Sequence, residues 1–191
     1  MPAGIKYDLK GQEVEKELYN VKTGYRLAGG FNLEDNDIAE GTYVPVLAPL
    51  SVDFKTRIAK VSKAVKATEN IDNTTLKIQK GSLVKKGMHI GNGTKGATIS
   101  AIDTTNANYD ALTLSATIDG VKAGDVLFEA KTVAGKEVKN PANFLNYARV
   151  KKEAGATVTA LGQAYEIQTE KLYTPVSEQD KATLGARFMF I

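Results

Sequence analysis

Cysteine and tryptophan are absent from this 191-residue chain and histidine occurs once. Without cysteine there are no disulfides, thiolate zinc sites, cysteine nucleophiles or thiol redox sensors. A single histidine, His89, leaves no His pair for a metal and only one residue through which a Ser-His couple could run. With no tryptophan and only 14 aromatics spread along the chain (Tyr 8, Phe 6), exposed stacking platforms for sugars or bases are not expected. No apolar run approaches the roughly 20 residues of a membrane helix. The opening "MPAGIKYDLKGQEVEKE" turns acidic at once, so neither a signal peptide nor a membrane association is expected. A domain of this size can bury about 70% of the surface of its unfolded chain, so no metal or cofactor is needed to hold it together.

What is present is patterned. From about residue 42, short alternating or β-branched runs follow one another: "TYVPVLAPL", "RIAKVSKAV", "TTLKIQ", "MHIG", "ATISAI", "ALTLSATI", "DVLFEA", "ATVTAL" and "AYEIQ". Separated by Gly, Asn, Asp and Lys clusters, they predict about nine strands of a mainly β fold, a small barrel or sandwich. Pro45 and Pro49 cannot donate to a ladder, which places the first run at an edge or in an irregular arm. "NIDNTT" and "DTTNANYD" read as hairpin tips. One or two short helices are expected. "KNPANFLNYARV" offers Asn140 as a cap and Pro141 at the first helical position. "PVSEQDKATLGARFMFI" offers Ser177 and Asp180 as a cap pair, Gly185 as a stop and a closing strand. The domain reading is an acidic N-terminal arm, 1–37, and a β-domain, 38–191.

Three stretches share the pattern aliphatic, two residues, Gly, two residues, aliphatic: "IAEGTYV", "VKKGMHI" and "VKAGDVL". They predict recurring corners in which Gly41, Gly87 and Gly124 turn the chain into a strand. "GNGTKG" spells G-x-G-x-x-G at Gly91, Gly93 and Gly96, but "ATISAID" follows it as a strand instead of the helix that a pyrophosphate cradle requires. It is read as a connection between strands, projecting His89 and Lys95. "NLEDNDIAEG" gathers Glu34, Asp35, Asp37 and Glu40 without the glycine and glutamate of a calcium loop, and is read as an acidic surface loop.

Charge is uneven: residues 1–54 carry 5 Lys/Arg against 9 Asp/Glu, 55–95 carry 10 against 2, and 96–191 carry 10 against 11. The basic band suggests contact with a polyanion or an acidic protein partner through Lys55, Arg57, Lys60, Lys63, Lys66, Lys85, Lys86 and Lys95, with Lys77 and Lys80 between them. The charges fall on both parities of their strand, so they make no clean face; the band is read first as a solvated surface, with an acidic protein partner or nucleic acid as the functional alternatives.

Several phrases together carry a family likeness: "EGTYVPVLAPLSVDF", "LVKKGMHIG", "VKAGDVLFEA" and "LYTPVSEQDKATLGARFMFI". The chain resembles the small head proteins of tailed bacteriophages and prophages, of the capsid decoration and head-fibre type. That resemblance implies a structural virion protein, made in the bacterial cytoplasm. It would bind the capsid or another virion protein and associate with itself, commonly as a trimer. It implies no cofactor and no active-site residues, and hence no enzyme. The chain lacks a fibre-forming repeat, so a head-attached module is expected, with the 1–37 arm docking on a neighbour. The alternative is a nucleic-acid or polyanion-binding barrel that uses the band at 55–95.

Overall fold

The computed structural model describes residues 17–191. Its strands are β1 (Asn20–Arg26), β2 (Phe31–Leu33), β3 (Tyr43–Val44), β4 (Pro49–Asp53), β5 (Ile58–Val61), β6 (Ala64–Lys66), β7 (Thr75–Gln79), β8 (His89–Gly91), β9 (Gly96–Asp103), β10 (Tyr109–Leu114), β11 (Val126–Ala130), β12 (Phe144–Asn146), β13 (Val150–Lys151), β14 (Thr157–Val158), β15 (Ala160–Ile167) and β16 (Phe188–Phe190). One α-helix, α1 (Glu178–Leu184), precedes β16. The chain is mainly β, as the alternation predicts. The expected runs divide into more strands because prolines, and the Ser62–Lys63 step, interrupt them.

The first sheet runs β1-β15-β12-β4-β5-β2-β14, with β16 beside the far half of β15. The second runs β6-β11-β8-β9-β10-β7. Its two ends meet through an Ala67–Ile78 bridge and a Thr68 N–H donating to Lys77 C=O at 2.9 Å, so the sheet curls round on itself. All six of its strands fall within residues 64–130, an insertion between β5 and β12 of the first sheet. Leu76, Ile78, Ile90, Ile99, Leu112 and Leu127 fill the inside of this small barrel. Two further cores lie on opposite sides of the first sheet, and strand alternation sorts neighbours between them: Phe144 and Ala160 join one, Leu145 and Leu161 the other.

Several placements differ from the sequence reading. "KNPANFLNYARV" forms β12, because Phe144 and Leu145 are drawn into different cores, which only a two-residue period allows. Asn143 reinforces this: its Oδ1 accepts from Val52 N–H at 2.8 Å and its Nδ2 donates to Val52 C=O at 2.9 Å. Pro49 sits in an interior strand as its first residue, where the missing donor is tolerated. Of the segment read as an arm, residues 1–16 lie outside the described residues. β1 and β2 are sheet strands, β1 on β15 and β2 between β5 and β14.

Gly41, Gly87 and Gly124 each sit third in a turn closed by Thr42 N–H to Ala39 C=O, Met88 N–H to Lys85 C=O and Asp125 N–H to Lys122 C=O. Their φ values of +84°, +90° and +93° make these type II turns, which glycine adopts most readily. A fourth turn, Glu153 to Ala156 around Gly155, has the same form, but Lys152 replaces the leading aliphatic residue and hides it in the sequence. α1 has Ser177 as its cap, accepting from Asp180 N–H, and Gly185 just past its end at φ +64°.

Candidate functional site

Where the first sheet passes into the inserted barrel, the chain buries charge. Lys63, between β5 and β6, is fully buried, and its Nζ lies 3.1 and 2.9 Å from the two carboxylate oxygens of Asp35 and 3.3 Å from Glu129 Oε2. Asp35, which follows β2, and Glu129, in β11, are also buried. Asp35 accepts two backbone donors besides, Asp37 N–H on Oδ1 and Val61 N–H on Oδ2, both at 3.1 Å. The other Glu129 oxygen accepts from Lys139 at 2.8 Å, and Lys139 reaches Asp37 at 2.6 Å. That hydrogen bond holds the Asp37 carboxyl below its ordinary range. Burial alone would lower the pKa of Lys139, but its bonds to Asp37 and Glu129, and their charges, outweigh burial and raise it.

Ser62, one residue earlier, is tied into a second buried cluster. Its hydroxyl donates to Asp180 in α1, 2.9 Å from Oδ2 and 3.1 Å from Oδ1. Asp180 also accepts from Ala142 N–H at 2.9 Å and from the Ser177 hydroxyl at 2.8 Å, with no cation among its partners. Burial pushes its carboxyl up, against the pull of those donors. Adjacent linker residues thus clamp the junction from both sides. The neighbours Leu83 and Val84 span it as well, one in a core of the first sheet and the other in the barrel core.

The basic band is broken up by these contacts. Lys63 is interior and out of reach of a polyanion. Arg57 lies 4.2 Å over the Phe31 ring and donates to the Gly29 and Gly30 carbonyls. Lys66 pairs with Glu170, Lys77 with Glu69, Lys80 with Asp110 and Lys95 with Asp119. Lys60 is exposed on β5 and Lys55 in the turn between β4 and β5. Lys85 and Lys86 line an open cleft of about 480 Å³ together with His89, Lys131 and Lys139, the last two of which sequence spacing did not bring into the band. His89 bonds Thr98 Oγ1 through Nδ1 at 2.8 Å.

The glycine string is the β8–β9 hairpin, in which Gly91 pairs with Gly96. A Cβ on either residue would run into the backbone of Gly135, whose C=O accepts from Gly93 N–H at 3.0 Å. Its spacing therefore serves the close approach of two loops. The acidic "NLEDNDIAEG" supplies Asp35 and Asp37 to the junction; Asp35 is buried there, which corrects its reading as a surface loop residue, while Asp37 stays half-exposed and Glu34 and Glu40 face solvent. A charged residue stranded in an apolar run, Lys63 in "RIAKVSKAV" and Glu129 in "DVLFEA", was the sequence signal for this cluster. No group of three or more His, Cys, Asp or Glu side chains among the described residues is placed to hold a metal ion. No helix among them is long and apolar enough to cross a membrane.

Exposed apolar side chains flank β15 on both sides. β1 pairs only with β15 among the described residues and exposes Val21 and Tyr25. On the other side of β15, β16 and the C-terminus expose Met189 and Ile191. Leu18 C=O accepts from Gln168 N–H and Ile191 C=O from Thr169 N–H, so the two ends of the described chain meet at one end of this strand.

Fold and site together define a mainly β module whose buried polar clusters join its own parts and whose exposed apolar residues flank a sheet edge. No curated protein and no solved structure matches the chain. The family model described as head fiber protein of phage matches residues 3–188, and the chain belongs to that family. It is a structural phage virion protein.

Proposed function

We propose that the protein acts by protein–protein assembly on the phage head, as a capsid decoration or head-fibre attachment module. It meets a virion protein and further copies of itself through the β1 edge and the N-terminal segment that leads into it. The observation that carries this reading is that edge: β1 has one strand partner among the described residues and exposes Val21 and Tyr25. An open edge gains backbone hydrogen bonds when another chain adds a strand.

The test is removal of residues 2–16, which leaves β1 and its pairing to β15 in place. Light scattering of the purified chain is expected to show a lower assembly mass than wild type, with the cooperative thermal unfolding of the β-domain retained. An unchanged mass at equal concentration overturns the role given to that segment. The longer deletion of residues 2–30 is uninformative, because it removes β1 from the sheet.

A further inference from the structure

Lys63, Asp35 and Glu129 form a closed group whose geometry points to covalent chemistry. We propose that Lys63 and Asp35 join as an intramolecular isopeptide bond, with Glu129 as the catalytic residue that moves the protons. The amine and the carboxyl carbon it would attack are already neighbours, since Nζ sits 2.9 and 3.1 Å from the two Asp35 oxygens. The reaction is thus unimolecular and oriented before it starts. Glu129 Oε2 lies 3.3 Å from Nζ, and Lys139 fixes the other Glu129 oxygen at 2.8 Å so that Oε2 stays turned toward Lys63. The N–H groups of Asp37 and Val61, each 3.1 Å from an Asp35 oxygen, stand where negative charge develops on the tetrahedral intermediate.

The step balances without any co-reactant. The Lys63 ammonium passes one proton to Glu129 and the freed amine lone pair forms the N–C bond to Asp35 Cγ. One Asp35 oxygen leaves as that C–O bond breaks. Glu129 delivers to it, in two transfers, the first proton and a second one lost from nitrogen. The products are a neutral secondary amide and one water, and Glu129 is regenerated. A driving force is present in the burial itself. All three side chains are almost wholly withdrawn from solvent, an ion pair there carries a large desolvation penalty, and the amide removes both charges. Dryness also opposes the return hydrolysis. The bond would tie the end of β2 to the residue that leads into the inserted barrel, so a pull on the barrel would load a covalent link.

Intact-mass spectrometry of the purified, folded full-length chain tests this. The wild-type chain is expected to be lighter than its sequence by one water. A tryptic digest is expected to contain the Asp35 and Lys63 peptides joined, with no cleavage after Lys63. A succinimide at Asp119–Gly120 also loses one water, so the joined peptide is the deciding readout. The K63R chain, which keeps a cation for Asp35, is expected at its sequence mass. E129Q is expected to retain the wild-type circular dichroism spectrum and to form the link at least tenfold more slowly. A folded wild-type chain that stays at its sequence mass after prolonged incubation overturns the proposal. E129Q that folds and links at the wild-type rate overturns the role of Glu129.

Discussion

Asp180 is a buried carboxylate satisfied by two hydroxyls and one backbone N–H but by no cation. Its replacements separate the hydrogen bonds from the charge. Asp180→Ala strands the Ala142 N–H and the Ser62 hydroxyl inside the protein, and is expected to lower unfolding stability by about 2 kcal/mol in chemical denaturation. Asp180→Asn keeps an acceptor for Ala142 and lets the serine hydroxyls rotate to accept, so it is expected to remain near wild type. The raised pKa of Asp180 gives the pH dependence its sign. As pH falls, the native state takes up this proton before the unfolded chain does. Wild type therefore gains stability relative to Asp180→Asn from its raised folded value down to the ordinary 3.8. Asp37 works in the other direction and in a lower window. Its depressed pKa contributes stability above 3.8 that is lost as pH falls through the lower folded value. Melting temperatures from pH 7 to pH 2 check the two signs, Asp180→Asn against wild type for the first and Asp37→Asn against wild type for the second.

Among the elements, glycine plays two different parts. At the type II turns it supplies a positive φ in open space, since a Cβ on Gly41, Gly87 or Gly124 meets nothing within 4 Å. In the β8–β9 hairpin it lets the backbone of the 131–136 loop lie directly on the strand ends at Gly91 and Gly96. Gly87→Ala is therefore expected to cost about 1 kcal/mol, the left-handed backbone penalty. Gly96→Ala is expected to cost about 2 kcal/mol or more, because two backbones must separate. The order of their denaturation midpoints checks the distinction, and a Gly96→Ala chain as stable as Gly87→Ala would contradict it. Elements with a local cause were legible in the sequence: the Ser177 cap and Gly185 stop of α1, and the turn glycines that feed β3, β8 and β11. β12 was not, because the cap-like Asn140 and Pro141 signal helix locally, while the partition of Phe144 and Leu145 between two cores is set by chain far away.

For the whole molecule, the inserted barrel redistributes charge that is contiguous in the sequence. Of ten basic residues between 55 and 95, Lys63 is interior and four others are paired with acidic side chains. A random DNA duplex is accordingly expected to bind weakly. A salt slope corresponding to roughly five or more neutralised phosphates would contradict that expectation. By itself the sequence determined the class of fold, the turns and the short terminal helix, since two-residue alternation, positive-φ glycines and capping are interactions between near neighbours. It also carried the likeness to the head-fibre family, whose model matches residues 3–188. Only the tertiary structure decided which charges face water and which face each other. Asp35, Lys63 and Glu129 stand 28 and 66 residues apart along the chain. Their meeting depends on β2, β5 and β11 being brought to one junction when the barrel closes. Nothing local favours that encounter, because an isolated lysine or carboxylate is more stable in water, and burial becomes tolerable only once the partners and backbone donors are assembled around it.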